Sequence, residues 1–434
     1  MDKSSANTTT DLAPRPGSLR ATGLPENVLP DLVGKHLAEA GVLDLAALAQ
    51  RLGLLGSLVE EVLGFLRAEG RVEVLGAQGG SPFVRFGLTD RGRIAAASAS
   101  ARDGYVGPAP VTLPEYRRVV DAQSVRLYPL TRVQVHSAFA DTVIRPEVLD
   151  RLGPAVNSGR PVFIHGEPGT GKSYIARRLS RLLGPPVLVP YAILFGDSVV
   201  RCYDPGVHRP VDEGVVARSL MLCEGFDPRY VLCERPVIVA GGELTLDRLD
   251  LAFDPATRLY QAPLQLRANN GLLVIDDLGR QRLPAVSLFN RWIIPLEENQ
   301  DHLSVKTGQL FTVPFDLVLI FATNFNPLEL ADQAFLRRIG YKVHFKESSP
   351  EDYAAIFEQE CEKRGIIYNP GLVSYLVDGL HGPRGVPLLA CHPRDLLGLA
   401  VDYVTYTGEP MGEPALLWAW DSYFVSDVDQ TRAQ

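Results

Sequence analysis

The sequence predicts an α/β fold built on a parallel sheet, with a smaller domain before it and a helical domain after it. From Val133 to about Ser348, short apolar runs alternate with helical segments, which is typical of a parallel α/β sheet. Residues 24–100 contain three stretches whose apolar residues have the spacing of a helix, followed by two short stretches typical of strands. Residues 349–434 show helical periodicity and few strand signals.

The composition is that of a globular protein and argues against several classes of binding protein. The 434 residues suffice for two or three domains, and 46% hydrophobic with 22% charged residues is ordinary for a globular chain. The net charge of −8 argues against a general binder of nucleic acid or anionic membranes. The five cysteines form no CxxC pair and the eight histidines no HExxH pair, so we expect neither a disulfide framework nor a structural metal.

The sequence indicates a cytoplasmic protein without membrane insertion. The first residues are polar and lack the apolar core of a signal peptide. The longest apolar runs, such as Leu317–Ala322, have the length of a strand and are too short to span a bilayer.

The segment before the α/β region predicts a small domain. Residues 1–23 are rich in Ser, Thr and Pro, so we expect a disordered tail. In residues 24–100 we predict three helices, Val28–Ala40, Leu43–Leu52 and Leu55–Glu69. We predict that a β-hairpin follows, with strands Val72–Leu75 and Phe83–Leu88 and a turn at Gly79–Pro82. Three helices followed by a hairpin predict a winged-helix-like domain.

The remaining boundaries follow from prolines and periodicity. Residues 101–132 are broken by prolines and glycines and are predicted to be a linker. Within the α/β core, residues 133–348, we predict five strands: Val162–Ile164, Val187–Val189, Leu272–Ile275, Leu317–Phe321 and Tyr341–Phe345. Residues 349–434 are predicted to form a helical lid-like domain, with helices at Asp352–Arg364, Leu372–Leu380 and Pro393–Thr405.

One motif binds phosphate in many proteins. The pattern G-x-x-x-x-G-K-[ST] is matched by Gly166, Glu167, Pro168, Gly169, Thr170, Gly171, Lys172 and Ser173. The motif follows a predicted strand and opens a helical run at 173–183, so its backbone N–H groups and the helix dipole can face a phosphate. We expect Lys172 to neutralise the β- and γ-phosphates and the Ser173 hydroxyl to hold Mg²⁺. The sequence therefore predicts a nucleotide site.

Two carboxylates follow the predicted strand Leu272–Ile275. A buried parallel strand delivers its last residues to the crevice where ligands bind. Asp276 is therefore expected to orient Mg²⁺ or its water, and Asp277 to polarise the attacking water. The alternative is a buried strand that runs into an ordinary turn.

Three further polar positions are candidates. Asn324 follows the strand Leu317–Phe321 and can hydrogen-bond the attacking water or the γ-phosphate, although this segment is also turn-prone. Arg337 and Arg338 carry the planar donor fork that suits phosphate, or else form a solvated helix face. Arg394 begins the last predicted helix and either reaches the phosphates or pairs with acidic surface residues.

Together and in this order, these features resemble the AAA+ ATPases over about residues 133–410. The resemblance identifies Walker A (GEPGTGKS), Walker B (LLVIDD), sensor 1 (Asn324), an arginine finger and sensor 2 (Arg394 in HPRDLL). The segments Tyr260–Leu264, 268–271 and 276–280 resemble the MoxR-like and helix-2-insert branch. A predicted hairpin at Leu303–Val313 stands where that branch carries its pre-sensor-1 insertion.

The chain also departs from the family pattern. Asp277 stands where the family usually has Glu, so hydrolysis is expected to be slower unless the water is re-aimed. The family's L-x-R pattern matches Arg338 as the finger, with Arg337 as the alternate. The stretch between Lys172 and Asp276 is long, which predicts an insertion around 195–265 that either faces a ring pore or decorates the periphery.

The resemblance implies an ATPase that binds ATP and Mg²⁺, forms a homo-oligomeric ring with a hexamer as the expected size, and remodels a protein substrate or adaptor. A DNA-associated ATP switch is one alternative. It is not favoured, because residues 24–100 hold seven basic and nine acidic side chains. An ATP-binding scaffold with weak hydrolysis is another, and Asp277 is its support.

Overall fold

The computed structural model of the protein describes residues 12–75, 84–211 and 225–424. Its strands in chain order are β1 (Val42–Asp44), β2 (Val72–Leu75), β3 (Arg85–Leu88), β4 (Val111–Thr112), β5 (Val162–Gly166), β6 (Val187–Pro190), β7 (Ala192–Phe195), β8 (Ser198–Arg201), β9 (Tyr230–Cys233), β10 (Val237–Ala240), β11 (Ala252–Asp254), β12 (Leu259–Gln261), β13 (Leu272–Ile275), β14 (Gln300–Ser304), β15 (Leu310–Pro314), β16 (Val318–Thr323) and β17 (Tyr341–Phe345).

The α-helices divide naturally at the main sheet. Those before it are Val28–Ala40, Leu45–Leu52, Gly56–Ala68, Asp90–Arg102, Leu113–Ala122, Arg132–Ala138 and Pro146–Ser158. Those within or after it are Lys172–Arg178, Leu264–Arg267, Ala285–Glu298, Pro327–Leu330, Gln333–Leu336, Pro350–Arg364, Pro370–Ser374, Gly382–Arg384, His392–Thr407 and Glu413–Tyr423, with a π-helix at Tyr375–His381. Among the described residues, no helix is long and apolar enough to cross a membrane.

The first module has the predicted order of three helices and a hairpin. Its sheet has the antiparallel order β1-β3-β2, so one strand more than the hairpin is present. The predicted turn at Gly79–Pro82 lies outside the described residues. The sequence-based prediction missed the helix Asp90–Arg102, which packs on Val28–Ala40. Its alanines and serines show almost no apolar periodicity, so the pattern on which the prediction relied is absent.

Two segments that were expected to lack structure are ordered. The predicted linker at 101–132 contains β4 and the helix Leu113–Ala122, with Tyr116 buried. Pro114 does not break this helix because it lies in the first turn, where a missing N–H costs nothing. Of the predicted tail, residues 1–11 lie outside the described residues, whereas Ala13 is fully buried.

The main sheet has the strand order β10-β13-β16-β5-β17. Strand β5 pairs in parallel with both β16 and β17. Four of the predicted strands are members, and the predicted α/β parallel sheet with a P-loop and a helical C-terminal part is confirmed. Val187–Val189 forms a strand as predicted, but the prediction that this strand belongs to the parallel sheet was wrong. Strand β6 pairs antiparallel with β9 in a separate two-stranded sheet.

The fifth strand of the main sheet comes from the predicted insertion. Strand β10 lies within 195–265, so only part of this range is additional to the sheet. The same range contributes β8, β11 and β12 to a second five-stranded sheet of order β11-β12-β8-β7-β4. Sequence periodicity does not show that β10 joins the main sheet and β6 does not, because the two strands are equally short and apolar. The hairpin predicted at Leu303–Val313 is observed as β14 and β15, which pair antiparallel.

By its internal contacts the chain forms two compact units. Within the described residues, the first comprises 12–75, 84–129, 183–211, 225–273 and 281–319, and the second comprises 130–182, 274–280 and 320–424. The helices from Pro350 onward enclose an apolar cluster of their own that includes Tyr353, Phe357, Leu376, Leu397 and Trp420. All candidate site residues predicted from the sequence belong to the second unit.

Candidate functional site

The loop after β5 has a backbone that only glycine adopts easily. Gly166 has φ +145° and Gly169 has φ +83°. A Cβ atom on Gly166 would lie 2.1 Å from the Phe345 carbonyl oxygen, and one on Gly169 would lie 2.6 Å from the Cys391 sulfur. Both positions therefore require glycine for reasons of conformation and of space. The loop leads directly into the helix Lys172–Arg178, as the motif predicts.

Lys172 lies inside this loop. Its ammonium group donates hydrogen bonds to the carbonyl oxygens of Gly166, at 2.9 Å, and Glu167, at 2.7 Å. The side chain is almost fully buried. Burial lowers the pKa of Lys172, while the nearby carboxylates Asp276 and Asp277 act in the opposite direction. The cation is thus held within the curve of the loop, where it can pair with an anion.

Ser173 and Asp276 meet at the sheet edge. The Ser173 hydroxyl donates a hydrogen bond to Asp276 Oδ1 at 2.7 Å, and the carboxylate is mostly buried. One residue starts the helix after the loop, and the other follows β13. Arg177 extends toward the same carboxylate, with Nη2 at 3.9 Å from Oδ2. The structure therefore brings together the two residues that were predicted to share a metal.

Asp277 has an unusual backbone. Its φ of +50° is uncommon for a residue other than glycine. Its own N–H donates to Asp276 Oδ1 at 3.0 Å. The turn is secured from the neighbouring strand, because the Leu278 N–H donates to Ala322 O at 2.8 Å and the Thr323 hydroxyl donates to Leu278 O at 2.6 Å. Strain of this kind persists only where surrounding contacts enforce it, and it is frequent at functional sites.

A cavity of about 500 Å³ opens at this edge. The phosphate loop lines it together with Asp276, Asp277, Asn324 and Arg394. Arg337 and Arg338 are not among its lining residues. Arg338 instead donates to the Ala334 carbonyl oxygen of its own helical turn at 2.6 Å. From the phosphate loop, Pro168 to Ser173 line the cavity, whereas Gly166 and Glu167, like the two arginines proposed as a finger, are not among its lining residues.

Arg394 lies on the wall of the cavity and has an acidic partner. It lines the cavity, and its Nε also donates to Asp395 Oδ1 at 2.7 Å. This hydrogen bond to Asp395 raises the pKa of Arg394. Its helix also contacts the loop directly, since the Cys391 N–H donates to the Gly169 carbonyl oxygen at 3.0 Å.

Sequence reasoning missed several residues of this cavity. They come from segments without a recognisable motif and include Thr142, Ile144, Val148, Lys346, Glu360, Lys363 and Cys391. The first three form part of the wall ahead of β5, and Ile356 adds an apolar side chain from the helix Pro350–Arg364. Arg280 also lines the cavity, and its signal was available in the sequence because it ends the segment 276–280.

The described residues hold no group of three or more His, Cys, Asp or Glu side chains suited to a metal ion. The Ser173–Asp276 pair thus supplies two oxygen donors and leaves room for others. This is how Mg²⁺ is commonly held, by one or two protein oxygens together with water and substrate phosphates. The four cysteines that the structure describes are free, and Cys223 lies outside the described residues.

Comparison with known families gives one match. A family described as a domain of unknown function (DUF8689) matches residues 349–422, which are the helices that follow the sheet. No curated protein matches the chain.

Solved structures show distant similarity. The RuvB Holliday junction branch migration motor of Thermotoga maritima is 12% identical with a TM-score of 0.38, over 65% of this chain and 71% of that one. Domain III of the T. maritima replication initiation protein DnaA is 12% identical with a TM-score of 0.37, over 67% and 98%. NtrX from Brucella abortus, in complex with ADP, is 15% identical with a TM-score of 0.37, over 74% and 63%. Because these identities and TM-scores are low, the fold is assigned from the strand order of the main sheet and from the phosphate loop Gly166–Ser173.

Proposed function

We propose that this protein is an AAA+ ATPase that binds Mg-ATP at the loop Gly166–Ser173 and hydrolyses it. The observation that carries the proposal is the hydrogen bond from Ser173 to Asp276 at the mouth of the 500 Å³ cavity. A hydroxyl and a carboxylate that touch there, next to a buried lysine, form a site for a metal-bound triphosphate. The cavity volume is also within the range of small-molecule sites.

Each residue has a distinct role in this proposal. Lys172 neutralises phosphate oxygens, and Ser173 and Asp276 hold the Mg²⁺ ion, which draws charge from the phosphates when bound. Asp277 accepts a hydrogen bond from the attacking water and aims it. Asn324 fixes that water or the terminal phosphate by its amide. Arg394 contributes positive charge from the last helical segment.

We propose further that the active assembly is a ring. Arg337 and Arg338 lie outside the cavity that their own chain forms, and Arg337 is exposed. An arginine that reaches the nucleotide of an adjacent subunit would complete the site there. Arg338 is the preferred finger and Arg337 the alternate. ATP turnover would then be linked to movement in a protein substrate or adaptor.

The amino-terminal module is better suited to protein than to DNA. Glu60 and Glu61 are exposed on its third helix, where a phosphate backbone would meet repulsion. Two basic residues near the hairpin already have acidic partners, since Arg91 lies 3.8 Å from Glu69 and Arg93 pairs with Asp90. We therefore propose that this winged-helix-like module docks a protein, and keep a DNA-associated switch as the less favoured alternative.

An ATP-binding scaffold with weak hydrolysis remains a second candidate, because Asp277 is short and its backbone is strained. Phosphate release from Mg-ATP by the purified chain separates the two functions. The motor requires turnover that Lys172→Ala abolishes and Lys342→Ala preserves, because the Lys342 ammonium group donates to the nearby Ile339 carbonyl oxygen and is not among the groups that line the cavity. ATP binding without measurable turnover would favour the scaffold, and unchanged turnover in Lys172→Ala would refute the site itself.

A further inference from the structure

The last two helices, His392–Thr407 and Glu413–Tyr423, carry an exposed aromatic face. Tyr406 is 91% exposed and Trp418 is 43% exposed. The Tyr403 ring stacks on Trp418 with 4.9 Å between ring centroids. The opposite sides of the two helices fill the apolar cluster with Leu396, Leu397, Ala400, Leu416 and Trp420. Tyr403 is partly buried and also packs against this cluster, whereas Tyr406 and Trp418 are exposed; these three rings are here called the aromatic face.

Beyond Arg394, every charged side chain on these two helices and on the turn that joins them is acidic. Asp402, Glu409, Glu413 and Asp421 are exposed on the same two helices or on the turn that joins them. Asp402 precedes Tyr406 by one helical turn, and Asp421 follows Trp418 by three residues, so each acid lies beside a ring. The Tyr403 hydroxyl donates to Glu409 at 3.2 Å. From Asp395 to Phe424 the sequence contains no Lys or Arg.

We propose that the aromatic face and its four carboxylates form a docking surface for an arginine- or lysine-rich segment of a partner protein. Guanidinium and ammonium groups bind over the faces of Trp and Tyr rings, and arginine does so especially well because its planar group also stacks. The surrounding carboxylates attract the same groups and favour their approach. A cationic segment is therefore the chemistry that satisfies the rings and the acids together.

The other classes of occupant fit less well. Nucleic acid and anionic membranes carry the same charge sign as this surface and are repelled by it. A second copy of the chain would present an identical acidic surface in a two-fold contact, and in the head-to-tail contact of a ring it would still carry a net charge of −8. A basic segment is the occupant whose charge complements the surface.

The position of the aromatic face gives the inference a link to the proposed function. Helix His392–Thr407 starts at Cys391, whose N–H contacts the Gly169 carbonyl oxygen of the phosphate loop. The same helix carries Tyr406 at its other end. A partner held there would be attached to the element that touches the nucleotide loop. This link rests on the proposed ATPase, whereas binding at the aromatic face does not.

The test is equilibrium binding of a fluorescein-labelled dodecapeptide of alternating Arg and Ala to the full chain without nucleotide, read by fluorescence anisotropy. Wild type binds this peptide but not the Glu–Ala analogue. Tyr406→Ala weakens binding by roughly threefold because one exposed cation–π contact is lost. A quadruple variant that replaces the four carboxylates by amides weakens peptide binding by roughly tenfold or more; its substitutions are Asp402→Asn, Glu409→Gln, Glu413→Gln and Asp421→Asn. Added salt narrows the difference in affinity between this variant and wild type.

Two matched controls separate the docking surface from general attraction to an acidic protein. The first control is a quadruple variant that removes the same number of exposed carboxylates from the amino-terminal module and leaves binding unchanged; its substitutions are Glu26→Gln, Glu60→Gln, Glu61→Gln and Glu73→Gln. Ile367→Ala removes a 90% exposed apolar side chain elsewhere and also has no effect. Absence of binding by wild type, equal weakening by the distant variant, or full binding by Tyr406→Ala would each overturn the proposal. Because no ATP is present, these results do not depend on hydrolysis.

Discussion

Ser173 donates a hydrogen bond to Asp276 at 2.7 Å although 103 positions separate them in the sequence. The contact arises because β5 and β13 are parallel strands of one sheet, whose carboxyl ends deliver their next residues to one edge. The pair places a hydroxyl and a carboxylate beside the loop that holds Lys172. The predictions below start from this arrangement.

Replacing Asp277 tests whether this carboxylate aims the attacking water. Asp277→Asn is expected to lower kcat for ATP hydrolysis by roughly a hundredfold or more while ATP still binds, because the amide no longer accepts a proton. Asp277→Glu restores the side chain usual in AAA+ proteins and is expected to retain or raise kcat. The measurement is steady-state phosphate release together with nucleotide affinity. Equal kcat in wild type and Asp277→Asn would show that another group has this role.

The loop glycines should not tolerate a side chain. Gly169→Ala forces a φ of +83° on a residue that resists it, which costs on the order of 1–2 kcal/mol, and places Cβ against the Cys391 sulfur. We expect weaker ATP binding and a lower melting temperature. Gly308→Ala is the matched control, since it has the same φ of +83° and open space around it. Equal loss of ATP affinity in both variants would mean that the loop's close packing is unimportant.

The finger is tested by mixing subunits. Arg338→Ala alone is expected to lose ATP turnover but to retain ATP binding, because its guanidinium lies outside the cavity of its own chain. Mixed with Lys172→Ala subunits, it should recover part of the activity, since interfaces then form that contain one intact loop and one intact arginine. Arg337→Ala is the parallel variant. Recovery with Arg337→Ala but not with Arg338→Ala would reassign the finger, and recovery with neither would argue against a shared site.

Acid should destabilise the helices after the sheet through His392. Burial lowers the pKa of His392 to about 4, and the adjacent His381 adds to the effect. The folded state therefore keeps this imidazole neutral at pH values where the unfolded chain, with a pKa near 6.5, binds a proton. Stability from this group is complete above pH 6.5 and is lost progressively as the pH falls toward 4.

The measurement is the urea midpoint of unfolding across that pH range. His392→Gln is expected to start from a lower stability, because it loses ring packing, but to show a shallower decline below pH 6.5. Ile367→Ala on the surface removes no titrating group and should keep the slope of wild type between these pH values. A slope in His392→Gln as steep as in wild type would show that other groups govern acid sensitivity here.

Local features of the site could be predicted from the sequence, and long-range pairings could not. The strand–loop–helix at Gly166–Ser173 is contiguous, so its glycines and lysine suffice to indicate it. Whether Val187–Val189 or Val237–Ala240 joins the main sheet depends on distant partners, and the two runs look alike.

The same distinction explains the cavity wall. Thr142 and Lys363 line it because separate segments are folded onto the loop, and neither lies in a motif that marks it in advance. Arg394 was predicted because a proline-started helix and a recognisable string surround it. Prolines also misled the prediction, since Pro114 begins a helix in a segment that was expected to be a linker.

The most direct test of the account is the Mg²⁺ dependence of ATP binding. Titration of a fluorescent ATP analogue with Mg²⁺ or with EDTA should show that Mg²⁺ tightens binding to wild type, and that Ser173→Ala and Asp276→Asn each lose most of this difference. Ser158→Ala, whose hydroxyl donates to the Ala155 carbonyl oxygen, should behave as wild type. If Mg²⁺ tightens binding equally in wild type, Ser173→Ala and Asp276→Asn, then Ser173 and Asp276 do not hold the metal and the proposed site is wrong.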